Sequence, residues 1–180
     1  MPPVPTKEDP LWSVFLLGGT TAEGNLVNLM AEPWSGSYGR NDFAGAAVSR
    51  RIGRKNHFIL EVEAGAGYRF RHFSSPEGWI ALYLRYDGLP WNHLVYTTVA
   101  IDTGVDYVAT VSPLELESVG GPSHSSNLLH YLAPEITFAR PENPNSELVI
   151  RWHHRSGVFG LINHSWEGSN ILTVGFRQRF

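Results

Sequence analysis

The run FILEVEAGAGYRFRHF, residues 58–73, constrains the fold more than any other part of the chain. Phe58, Leu60, Val62, Ala64, Ala66, Tyr68 and Phe70 fall on one parity, and Ile59, Glu61, Glu63, Gly65, Gly67, Arg69 and Arg71 on the other. A period of two held this long predicts one long β-strand with an apolar face and a charged, glycine-rich face. The last run, ILTVGFRQRF, repeats the pattern: Leu172, Val174, Phe176 and Phe180 share one side, and Thr173, Gly175, Arg177 and Arg179 the other. Reading the whole chain this way predicts strands over 11–19, 38–51, 58–72, 79–87, 94–107, 127–139, 147–156 and 170–180.

The connections alternate in length. Those after the first, fifth and seventh strands are long. Those after the second, fourth and sixth are short and turn-like (IGRKN, GLPWNH, PENPNS). This alternation is the habit of outer-membrane barrels, whose short turns lie on the periplasmic side. The expected fold is therefore all-β: an eight-stranded antiparallel up-and-down transmembrane barrel over residues 11–180, preceded by a Pro-rich periplasmic tail at 1–10. No stretch approaches ~18 consecutive apolar residues, so no membrane helix is expected. A mean hydropathy of −0.17 does not argue against a membrane barrel, because alternation averages it away. The N-terminus has no apolar signal core, so the expectation is an exported chain shown without its signal peptide. With no cysteine there is no disulfide framework or thiolate metal site, and a net charge of −3 gives no reason to expect a nucleic-acid partner.

Alternation does not say which face is inside. A lipocalin-like soluble barrel turns its apolar face inward around a ligand, whereas a membrane barrel turns it outward. Three features favour the membrane. Glu61, Glu63, Arg69 and Arg71 share their face with glycines, which suits a narrow bore filled by ion pairs rather than an open pore. Phe58, Tyr68, Phe70, Phe176 and Phe180 put aromatics near strand ends, as interfacial girdles do. The chain also ends in Phe180 on the apolar face, like outer-membrane proteins that engage the barrel-assembly machinery.

The same parity makes the seventh predicted strand, ELVIRWHHRS, unusual. Leu148, Ile150 and Trp152 share their face with His154 and Ser156, and Asn170 on the last strand shares parity with Leu172 and Val174. Adjacent antiparallel strands place these ends side by side, so His154, Ser156 and Asn170 are expected to cluster on the outer wall. Two readings stand for such a cluster: a functional site opening onto lipid, or polar residues just above the hydrocarbon, where they cost little. A Ser beside a His offers a nucleophile and a base, given a third group to orient the imidazole. His153 and His154 point to opposite faces and so are poorly placed to share a metal ion. The remaining histidines and the six tryptophans read as turn, interface or packing residues.

The final third of the chain resembles the PagL-type lipid A 3-O-deacylases, eight-stranded outer-membrane barrels. The likeness is carried by His154-Arg155-Ser156, by Gly168-Ser169-Asn170, by Asn163 in the loop and by SSNLLHYLAPEITF (125–138). Before that segment it is architectural only. The resemblance implies Ser156 as nucleophile, His154 as general base, Asn163 as oxyanion donor, and lipid A of the outer leaflet as substrate, with no cofactor. It also implies an acidic third member where this chain has Asn170. Either Asn170, or Glu167 reaching in from the loop, orients the histidine, or the chain is an inactive relative. Two rivals remain open: a structural or adhesive barrel, and a soluble ligand-binding barrel.

Overall fold

The computed structural model describes residues 10–118, 126–158, 161–162 and 168–180. Its strands are β1 (Trp12–Glu23), β2 (Ser37–Lys55), β3 (Phe58–Arg71), β4 (Ser75–Tyr86), β5 (Tyr96–Val108), β6 (Leu128–Leu132), β7 (Glu135–Arg140), β8 (Asn143–Ser156) and β9 (Ser169–Arg179). All pair antiparallel. β6 and β7 share one position in the wall, each between β5 and β8, so the sheet closes as a ring of eight strands. The last strand meets the first in register, Leu16 opposite Phe176. Trp12 and Phe180 exchange both backbone hydrogen bonds, at 3.0 and 2.9 Å, which completes the closure at one rim.

The predicted strands all form, with shifted ends. β4 begins at Ser75, four residues before the expected start, and β8 at Asn143. The sixth predicted strand is interrupted, because Pro134 has no N–H to give the ladder. At this break the N–H of Ala133 turns to the Asp102 carboxylate, and the carbonyl of Pro134 accepts from Trp152 at 3.0 Å. The long connections (24–36, 109–127, 157–168) begin and end at one rim, beside the short 72–74 link. The other rim carries 56–57, 87–95 and 141–142.

The polarity is that of a membrane barrel. Leu16, Ile80, Ile101, Val174 and Phe176 stand exposed on the outer wall. The bore holds Glu61, Glu63, Glu135 and Glu147 against Arg85, Arg151, Arg177 and Arg179, all but Arg179 fully buried. Arg151 donates to Glu63 at 2.7 and 2.9 Å and to Glu135 at 2.7 and 2.9 Å, and Arg177 donates to Glu135 at 2.7 Å twice. Desolvating each ion costs several kcal/mol, so the network holds only because every charge meets partners. Aromatics fill the space between: the Arg151 guanidinium lies over the rings of Phe15 and Tyr83, 4.6 and 5.0 Å from their centroids. The glycines expected in the bore make room for these rings. A Cβ on Gly65 would lie 2.2 Å from Trp79, and one on Gly67 2.3 Å from Phe43.

Arg71 is a correction. The alternation assigns it to the bore, but a φ of +101° at the end of β3 carries it out, where its half-exposed side chain donates to the Gly39 carbonyl at 2.8 Å. The tail at 1–9 lies outside the described residues.

Replacing Arg151 by Met takes from Glu63 its two-pronged arginine partner and from Glu135 one of three arginines, and is expected to cost about 3–5 kcal/mol. Urea unfolding in detergent micelles, followed by tryptophan fluorescence, measures it. Adding Glu63→Gln to Arg151→Met should recover part of the loss.

Candidate functional site

β8 sorts its side chains as the alternation predicts. Glu147, Val149, Arg151, His153 and Arg155 are buried in the bore, while Leu148, Ile150, Trp152, His154 and Ser156 stand on the outer wall. Asn170 of β9 lies directly opposite His154 in the ladder. The two side chains meet: His154 Nδ1 and Asn170 Oδ1 are 2.7 Å apart. The amide nitrogen of Asn170 donates in turn to the Gly24 carbonyl at 2.7 Å. With its NH2 committed there, Asn170 offers an oxygen to the imidazole. An amide oxygen only accepts, so Nδ1 carries the proton and the Nε2 lone pair is left bare.

The wall around this pair is apolar and covered. Across the ladder the row runs Ala22, Asn170, His154, Leu132. Beyond β1 the chain forms α1 (Leu26–Ala31), started by Asn25, whose side chain accepts from the Val27 N–H at 2.9 Å. Its Leu26 and Leu29 pack with Ala22 and Trp152, and with Leu132 and Leu172. Ala22 and Leu132 of this cluster flank Asn170 and His154 in the ladder, and Asn170 is only 8 % exposed although it points away from the bore. This answers the cost of polar groups on a lipid-facing wall: each is hydrogen-bonded, and a helix lies beside them.

Ser156 is half-buried, two residues beyond His154 on the same face, which separates their β-carbons by roughly 6–7 Å. Among the described residues no hydrogen bond joins the two. His130 of β6 sits directly opposite Ser156 and bonds Thr103 Oγ1 at 2.9 Å through Nε2. Sequence reasoning passed over His130 as a turn or interface residue. Its parity with Leu128 and Leu132 was the signal that it faces outward beside the serine. Asn163 and Glu167 lie outside the described residues, as do His124, His164 and Trp166.

A groove of about 570 Å³ opens on the same wall, near the break between β6 and β7. Met30, Ile101, Ile136, Ile150 and Trp152 line it. Trp152 stands two residues before His154 on the same face of β8, so the groove opens beside the site.

Inside the bore, Glu77, Asp106 and His153 bring donor atoms within 4.8 Å of one another, a set able to hold a metal ion. Its carboxylates are already engaged. Arg69 pairs with Glu77, and Arg155 with Asp106 at 2.9 Å and with Glu115 of α2 (Pro113–Ser118) at 2.7 Å. Tyr131 bonds His153 Nδ1 at 2.9 Å. This cluster belongs to the ion-pair filling of the bore, and the strand wall separates it from His154.

No family model matches the chain, and no curated protein matches it. Solved structures do. The Neisserial surface protein A, NspA, aligns with a TM-score of 0.57 at 13% identity, covering 94% of this chain and 97% of its own. The N-terminal β-barrel domain of Pseudomonas aeruginosa OprF aligns at 0.49 with 7% identity, covering 96% and 100%. Ail, the attachment invasion locus protein of Yersinia pestis, aligns at 0.46 with 11% identity, covering 96% and 99%. At such identities the likeness to NspA establishes the fold, that of a small outer-membrane barrel.

Truncating Leu29 to Ala removes the deepest contact of α1 with the wall, a change that typically costs ~2–5 kcal/mol. Amide exchange of residues 26–31 in micelles should accelerate about tenfold or more, while the strand amides of β2 and β3 hold their rates.

Proposed function

We propose that this barrel resides in the bacterial outer membrane and is a lipid A deacylase, removing an ester-linked hydroxyacyl chain. The 3-position is what the resemblance to PagL-type enzymes implies. The observation that carries this reading is the 2.7 Å bond from His154 to Asn170 beside Ser156, on the wall that faces lipid. An oriented imidazole with a bare Nε2 next to a serine is the arrangement that activates a hydroxyl. Its position lets an ester be attacked without the lipid leaving the membrane.

In this mechanism Ser156 Oγ attacks the ester carbonyl and its proton passes to His154 Nε2. The imidazolium then protonates the departing sugar oxygen, leaving an acyl-serine. Water, deprotonated by His154, releases the fatty acid and restores Ser156. Asn163 is the proposed oxyanion donor by resemblance, and Glu167 is the loop alternative to Asn170 for orienting the imidazole. The serine and histidine must close on one another for the first step. Such bonds are often long or unmade in the absence of substrate and tighten when it binds. The groove beside Trp152 suits an apolar chain, since at that depth it meets hydrocarbon rather than water. Insertion through the barrel-assembly machinery, with Phe180 as the terminal signal, is part of the same proposal.

The test is mass spectrometry of lipid A from cells exporting the chain, beside Ser156→Ala and His154→Gln. The parent is expected to remove one hydroxyacyl mass, and each variant to lose about 10³-fold or more in rate. Identical lipid A from the parent, both variants and the empty vector, with the barrel folded in the membrane, would leave the structural or adhesive barrel as the better account.

A further inference from the structure

We propose that Gly24 is a positioning residue, and that its carbonyl makes Asn170, rather than an acid, the working third member of the site. This rests on the hydrolytic reading of Ser156 and His154. Where an amide replaces the acid of a serine hydrolase, activity falls by about 10⁴, because the amide can present its NH2 to the imidazole and hold the wrong tautomer. Here the NH2 has another acceptor. The Gly24 carbonyl takes it at 2.7 Å, and the oxygen is left facing His154 Nδ1 at 2.7 Å. The chain from Gly24 to Asn170 to His154 therefore sets the tautomer that a base needs.

The same carbonyl selects against a carboxylate. An aspartate of the same shape at position 170 would hold one oxygen against the Gly24 oxygen, in a place 8 % exposed. Two acceptors facing each other without a proton or water cost more than the charge returns. The amide at position 170 is thus matched to its surroundings.

Gly24 is suited to this role by its backbone. It sits between the end of β1 and the N-cap of α1 with φ +139°, a conformation open to glycine and rarely to other residues. A Cβ there would also touch Leu29 at 3.4 Å. Substitution turns the peptide and moves the carbonyl away from Asn170. The packing of Leu26 and Leu29 on the wall holds the loop end in place, so α1 serves the site through Gly24.

The test uses the full chain refolded in micelles with ¹⁵N-labelled histidine, its His154 signals assigned by comparison with His154→Gln. The parent is expected to show His154 protonated at Nδ1 and bare at Nε2. Gly24→Ala should show mixed tautomers and lose about tenfold or more in kcat on a short-chain aryl ester, with KM nearly unchanged. A parent protonated at Nε2, or a Gly24→Ala protein with the parent's tautomer and rate, overturns the proposal. Asn170→Asp provides the second variant, should Gly24→Ala not fold. Activity below the parent supports the selection against a carboxylate, and activity equal to or above it refutes it. If the parent shows the expected tautomer and Gly24→Ala disturbs it, yet neither hydrolyses ester or lipid A, Gly24 keeps its positioning role and the deacylase reading fails.

Discussion

A backbone in hydrocarbon has no water to bond, and every feature of this chain follows from how it meets that condition. The ladder must close on itself, because an open strand edge in lipid leaves unpaired amides at several kcal/mol each. Closure comes from β1 and β9, down to the reciprocal bonds of Trp12 and Phe180. Once a ring of eight is closed, its bore is narrow enough for side chains to fill. Glycines admit the rings of Phe43 and Trp79, and the remaining space takes long charged side chains that satisfy one another around Arg151 and Glu135.

The outer wall obeys the same condition at a finer scale. A histidine and an asparagine on a lipid-facing strand are costly unless each polar atom has a partner. The loop after β1 supplies the partner for Asn170, Asn170 supplies the partner for His154, and α1 lays leucines over the surrounding apolar residues. Among the described residues one nitrogen, His154 Nε2, is left over. Chemistry at the lipid surface requires a reactive atom of that kind, held by neighbours whose own bonds are complete. The loop, the helix and the two strands are therefore parts of one device, although they are remote in sequence.

Much of this was legible beforehand because strand geometry is simple. A period of two assigns the residues of β3, β8 and β9 to faces, and parity puts His154, Ser156 and Asn170 on the face of the apolar residues. Parity failed where the backbone leaves the strand region. Arg71 turns out of the bore on a positive φ, and Pro134 splits one predicted strand into two. His130 carried the right parity, but nothing in the sequence put it opposite Ser156. That depends on the stagger between β6 and β8, which the proline break helps to set.

The sequence by itself determined the alternating-strand fold class and which residues share a face, the serine and histidine with the apolar one. These are local properties, repeated every two residues and reinforced over many strands. Only the tertiary structure decided that Asn170 meets His154 oxygen first, because that choice is made by a backbone carbonyl about a hundred and fifty residues away. A carbonyl leaves no mark in the side-chain pattern. Its position depends on ring closure bringing β1 beside β9, and on the glycine turn that starts α1.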